Sequence, residues 1–182
     1  MPLRASLEQC LKPLAFHGVP VTLFDDGYGE ALMQILALST PGLTGPEGFL
    51  PPNVRLVSNF FRSGPDGVVN GFSFPPVHAQ NRNMTTARAF RSGMMLGMMQ
   101  QQGGMIRSPP NALVLGGALE DLGLAQGGGM ERRVLAVGFV DNTDAEFVRK
   151  LPKFLEAFDA VILGDGGLQY TAHVIEQIVG SA

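Results

Sequence analysis

After residue 110 the chain alternates strictly between short apolar runs and helical patterns. The runs are 112–115, 134–140 and 160–163, and the helical patterns are 119–126, 143–157 and 168–179. Strands separated by helices cannot pair as hairpins, so this alternation predicts a parallel sheet with helices on both faces. The first junction carries the most chemistry. The run Ala112 to Leu115 breaks at Gly116-Gly117, and the pattern that follows has Glu120 and Asp121 in its first turn. In an α/β fold such a junction lies at the carboxyl end of a strand, where ligands bind. Thr143 followed three residues later by Glu146 reads as a capping box for the helix 143–157.

Before residue 110 the pattern is more mixed. Leu3, Leu7, Cys10, Leu11 and Leu14 recur at helical spacing, which predicts an amphipathic helix over 3–16, weakened near its end by Pro13. Val19 to Phe24 reads as a strand, and Gly29 to Leu38 as a second helix. Residues 41–52 form a loop rich in proline and glycine. Val54 to Phe61 and Val68 to Phe74 read as strands, joined by the turn chemistry of Ser63-Gly64-Pro65-Asp66-Gly67 into a hairpin. A helix over 85–102 gathers Met94, Met95, Met98 and Met99 on one side. That face suits a pliable core or an adaptable binding surface. There is no internal repeat and no interdomain linker, so one domain over 1–182 is expected.

Composition narrows the function classes. Hydrophobic residues are 45% of the 182 and charged residues 16%, which excludes a disordered chain. A net charge of -3 gives no electrostatic footprint for nucleic acid. No apolar run reaches the length of a membrane span, and no secretory signal is evident. The single Cys10 excludes an internal disulfide and suits a reducing, cytoplasmic setting. One Cys and three scattered His give no zinc spacing. No P-loop, G-x-S-x-G elbow or G-x-G-x-x-G fingerprint is present.

Three constellations remain. Asp25-Asp26-Gly27-Tyr28-Gly29 lies at a strand-to-helix junction. Its glycines allow backbone N–H groups to approach an anion, while two aspartates repel one unless a divalent metal intervenes. The alternative is a tight turn in which Asp25 or Asp26 caps the helix. His78-x-x-Asn81-Arg82 offers a guanidinium for a phosphate or an acid, or is simply exposed loop. In the Gly116 to Asp121 turn, Asp121 either ligates a metal or favours the helix dipole.

In order, these turns resemble the later part of the cytosolic 5'-nucleotidase III (pyrimidine 5'-nucleotidase) family of the haloacid dehalogenase-like superfamily. The resemblance runs from about Leu11 to Ile178. It rests on Val19 to Phe24 with Gly27-x-Gly29, on Asn53 to Phe60, on Gly67 to Phe72 and on His78-x-x-Asn81-Arg82. It continues through Leu115-Gly116 with Asp121-Leu122, Val137 to Asp141, and Phe158 to Leu163. It implies an α/β, Rossmann-like, three-layer core with a mostly parallel sheet, here lacking the first core strand and the helical cap. It also implies magnesium-dependent hydrolysis of nucleoside 5'-monophosphates through an aspartyl-phosphate.

The family's nucleophile and acid/base lie on a D-x-D segment, and no D-x-D occurs in these 182 residues. No catalytic residue is therefore assigned. By the resemblance, Asp25, Asp26, Gly27, Gly29 and Arg82 are the phosphate-binding candidates. The family's phosphate-binding serine falls on Asp25 and its lysine on Arg82. Asp121 and Glu120 are the magnesium candidates, and the family's first metal-ligating aspartate of that turn falls on Gly117. The expectation is a nucleotidase-like chain that is inactive on its own, a pseudoenzyme. The alternative is a binding or regulatory module that pairs with itself or with a full-length relative. The enzymatic reading survives in two forms: the chain is a partial product whose first half exists elsewhere, or Asp25, Asp26, Glu120 and Asp121 form a new metal site.

Overall fold

Val21–Tyr28 (β1) pairs in parallel with Val54–Asn59 (β2), and every apolar residue of the pair is at least partly buried except Tyr28. The structure is a computed structural model that describes residues 3–44, 49–72, 76–78, 81, 111–125 and 133–180. Arg82, the methionine-bearing segment 85–102 and the glycine run 127–129 lie outside the described residues. The chain divides into two compact units, residues 1–77 with 166–182, and residues 78–165.

In the first unit, Leu7–Phe16 (α1) begins four residues later than its apolar period predicts. Ser6 adopts a left-handed conformation, with φ 68°, which a helix cannot continue through. The residues before it bond elsewhere: Arg4 Nη1 donates to the Gly166 carbonyl at 2.8 Å, and the Leu168 N–H donates to the Ala5 carbonyl at 2.8 Å. Gly29–Ser39 (α2) follows β1 as expected. The run expected as one strand from Val54 to Phe61 breaks at Phe60, and Phe61–Ser63 (β3) pairs antiparallel with Val69–Phe72 (β4). Their turn is the predicted one, closed by Gly64 N–H to the Val68 carbonyl at 2.9 Å, with Gly67 at φ 78°.

The last helix, Gln169–Gly180 (α4), packs on α1. Cys10, Leu11, Leu168, Ala172 and Ile175 are buried there. Burial pushes the Cys10 thiol up to about 11, so it stays protonated and packs as a small apolar group. Thr171 is fully buried and its Oγ1 has no hydrogen-bond partner among the described residues. Thr171→Val is isosteric and removes that orphan hydroxyl. It is expected to stabilise the chain by about 1 kcal/mol, a rise in Tm of roughly 2–4 °C by calorimetry. A fall in Tm would mean the hydroxyl is satisfied in solution.

In the second unit, Asn111–Gly116 (β5), Arg133–Val140 (β6) and Ala160–Leu163 (β7) form a parallel sheet in the order β5-β6-β7. This is the sheet that the strand–helix alternation predicts. Phe147–Ala157 (α3) covers it, and Ala136, Val140, Phe154 and Phe158 form the core with Leu119, Leu122, Phe147 and Val161 against them. Two local expectations fail. The segment Leu119–Ala125 is a 3₁₀ helix, not an α-helix. The capping box at Thr143 does not form: Thr143 N–H and Oγ1 both donate to Asp141 Oδ1, at 2.8 and 2.7 Å, and the helix starts only at Phe147. Asp144, before the helix, accepts from Glu146 N–H at 2.8 Å and pairs with Lys150, which holds its carboxyl below the usual range. No helix among the described residues is long and apolar enough to cross a membrane.

Candidate functional site

The two junctions lie in different units, so each is built separately. In the first unit, Asp25, Asp26 and Gly27 are not a turn after β1. They sit inside the strand as a bulge: Phe24 pairs with Val57 and Tyr28 with Asn59, leaving three residues opposite Ser58 alone. Side chains supply bonds where the ladder is interrupted. Asp25 Oδ2 accepts from Gly27 N–H at 3.0 Å and from Ser58 Oγ at 3.2 Å. Ser58 Oγ also lies 3.2 Å from the Gly27 carbonyl.

Neither aspartate caps α2. Its N-cap is Tyr28, without a side-chain bond, and the helix begins at Gly29. The acid of its first turn, Glu30, accepts from Phe61 N–H at 2.7 Å through Oε1 and ties α2 to the hairpin. Tyr28, Phe61 and Phe72 stack in a row, with ring centroids 5.2 and 5.8 Å apart.

Sequence reasoning assigned no role to Ser58 and Asn59, yet both are buried at the end of β2. Asn59 Nδ2 donates to the carbonyls of Asp26 at 2.9 Å and Val77 at 3.1 Å, and Oδ1 accepts from Val77 N–H at 2.6 Å. One amide thus fixes both the bulge and the segment leading to His78. The signal was present as two polar residues closing an otherwise buried strand. His78 itself is exposed, and its N–H donates to Asn81 Oδ1 at 2.8 Å in a local turn. Arg82 lies outside the described residues.

In the second unit, the chain leaves β5 at Gly116 and folds back at once. Asp121 Oδ2 accepts from both Gly117 N–H, at 2.9 Å, and Ala118 N–H, at 3.0 Å. Two amides aimed at one point form an anion cradle, and the chain's own carboxylate fills it. Glycine is required at 116, because a Cβ there would lie 2.6 Å from the Asp121 Cβ. The pull on the preceding loop and an i→i+3 bond from Asp121 N–H to the Ala118 carbonyl tighten the segment to 3₁₀. Glu120 is exposed. Among the described residues, neither unit gathers three His, Cys, Asp or Glu side chains as metal ligands.

A family model described as pyrimidine 5'-nucleotidase (UMPH-1) matches residues 1–179. The chain is similar to a 7-methylguanosine phosphate-specific 5'-nucleotidase of Drosophila melanogaster, 26% identical over 164 residues that cover 90% of this chain and 44% of that protein. A human protein of the same description is 23% identical over 177 residues, covering 97% of this chain and 52% of its own length. The fold matches a crystal structure of cytosolic 5'-nucleotidase IIIB bound to cytidine. The TM-score is 0.71 at 22% identity, over 98% of this chain and 52% of that one. The chain therefore spans about half the length of the relatives it matches.

Proposed function

Because the chain belongs to the pyrimidine 5'-nucleotidase family, with the haloacid dehalogenase-like fold, we propose that it is a nucleotidase-like module that does not hydrolyse nucleoside 5'-monophosphates by itself. One observation carries this reading. The carboxylate of Asp121, the acid best placed to hold magnesium, is turned onto the amides of Gly117 and Ala118. Magnesium demands near-octahedral oxygen ligands and takes one or two carboxylates with substrate phosphate and water. Gly117 offers no side chain, Asp121 Oδ2 is committed to the loop, and Glu120 alone makes a poor site. The residues of this turn do not fit the ion that the family resemblance implies, and no catalytic step is routed through it.

The phosphate side of the reaction is equally weak. Asp25 puts an acceptor-only carboxylate where the resemblance expects a hydroxyl donor, and it consumes the Gly27 N–H and the Ser58 hydroxyl. An incoming phosphate meets a like charge rather than open donors. Covalent catalysis needs a positioned carboxylate nucleophile, and the D-x-D pair is absent from this sequence. Such groups act as a unit, so the remaining parts give little rate by themselves. A binding or regulatory role for the module, on nucleotide-like ligands or on another protein, is the reading these features support.

Magnesium linkage tests the metal half of the proposal. A site with millimolar or better affinity raises Tm as the ion is added, by RT ln(1 + [L]/Kd) in free energy. For this chain, added magnesium at about ten times a millimolar Kd is expected to leave Tm within about 1 °C of a potassium control matched in ionic strength. A saturable rise that Asp121→Ala abolishes would establish a rebuilt metal site and overturn the reading.

A further inference from the structure

Helix α3 carries the same apolar spacing twice. Its inner stripe is Phe147, Leu151 and Phe154, at i, i+4 and i+7; Phe147 and Phe154 pack in the core with Phe158, which follows the helix, and Phe154 and Phe158 are buried. One residue further on, Val148, Pro152 and Leu155 repeat i, i+4, i+7 along the outside. Val148 is 82% exposed, Leu155 62%, and Pro152 is exposed as well. A surface helix ordinarily has one apolar stripe and an opposite polar face. A second stripe at anchor spacing is the pattern by which helices dock.

The charges bordering the outer stripe say what fits it. Arg149 and Glu156 both lie on the same flank, seven residues apart, beside Val148 and Leu155 respectively. Arg149 has three quarters of its side chain in solvent and pairs with Glu146, three residues before it. When two such helices lie antiparallel about a two-fold axis near residues 151–152, Val148 meets Leu155 of the second copy. Arg149 then meets Glu156 of the second copy, and each contact occurs twice. In the parallel arrangement Arg149 faces Arg149 and Glu156 faces Glu156, which repels. Lys153, exposed on the same flank, meets its own copy in either orientation, so the Arg149–Glu156 contacts are what favour the antiparallel one.

We propose that α3 is an isologous docking face and that its occupant is a second copy of this chain. The stripe from Val148 to Leu155 is only about 10 Å long, so the association belongs to the weak class of small interfaces. It is independent of the nucleotidase-like turns and of whether they turn over substrate.

Sedimentation velocity of the full chain, from about 5 to about 500 µM at low salt, tests it over the range of weak complexes. The weight-average mass is expected to rise with concentration toward twice the chain mass of 19.4 kDa. Leu155→Lys is expected to weaken the dimer at least about tenfold. Arg149→Glu or Glu156→Arg alone is expected to weaken it about three- to tenfold, and the double reversal to restore it. All three positions are exposed, so each variant should keep its far-UV spectrum. If Leu155→Lys does not fold, the charge-reversal cycle decides alone. A chain that stays monomeric throughout, or a dimer indifferent to the reversals, overturns the proposal.

Discussion

Phe154→Ala is expected to remove about 3–5 kcal/mol from the stability of the β5-β6-β7 unit. Phe154 is buried and stacks on Phe158, with ring centroids 5.0 Å apart and planes 16° from parallel. The two rings sit directly on Gly138 of β6, where a Cβ would lie 2.9 Å from both. The glycine permits the close approach of ring and strand, so little slack remains for the site to collapse when the ring is removed. The cavity term therefore adds to the lost transfer energy. The complementary change, Gly138→Ala, overpacks the same contact and is expected to cost about 1–3 kcal/mol. Hydrogen exchange at the β6 amides reads both. For Phe154→Ala, protection should fall by roughly two to three and a half orders of magnitude, since 1.4 kcal/mol is tenfold. A loss of less than tenfold would show that this pair is not the centre of the core.

Asn59→Ala is expected to cost about 2–4 kcal/mol, though it removes only one small polar side chain. The amide makes three bonds in a site where it is itself 9% exposed. Its loss leaves the Val77 N–H and two carbonyls to find other partners, and unpaired buried groups cost more than the mean bond contributes. For a chain of this size the drop in Tm is roughly 4–16 °C. Asn59→Asp keeps the acceptor for Val77 N–H but turns a carboxylate oxygen on the Asp26 and Val77 carbonyls, so it should be at least as damaging. Asn70→Ala is the control. That exposed residue accepts from Arg62 Nε at 3.1 Å, and its loss should cost no more than about 0.5 kcal/mol. Equal effects at the two asparagines would contradict the role given to Asn59.

The parallel β5-β6-β7 sheet and the β3–β4 hairpin were legible in the sequence, because each rests on a local signal. Apolar runs that alternate with helical periods leave few topologies, and Pro65-Asp66-Gly67 dictates its own turn. Element edges were less legible where long-range bonds set them. The Leu3 period is intact, yet α1 starts at Leu7 because Arg4 and Ala5 bond to Gly166 and Leu168, far along the chain. The Thr143 cap failed for a local reason: Asp141 outcompetes the helix for the Thr143 N–H and hydroxyl. At the candidate site, the residue types singled out two loops but not their internal bonding. Spacing offers Asp25 as a ligand-facing group or a helix cap, and Asp121 as a metal ligand or a partner of the helix dipole. Each instead accepts bonds from its own neighbourhood, which no spacing rule reveals.

In the proposed function these carboxylates hold the chain together in place of holding a substrate. Phosphate release tests it most directly. The folded 182-residue chain would be incubated with a panel of nucleoside 5'-monophosphates that includes the 7-methylguanosine and cytidine compounds, with and without magnesium. Asp121→Ala serves as the control. The account predicts no release above the protein-free blank for either protein. Magnesium-dependent turnover that Asp121→Ala abolishes would contradict it, and would make Asp121 a ligand in a working site.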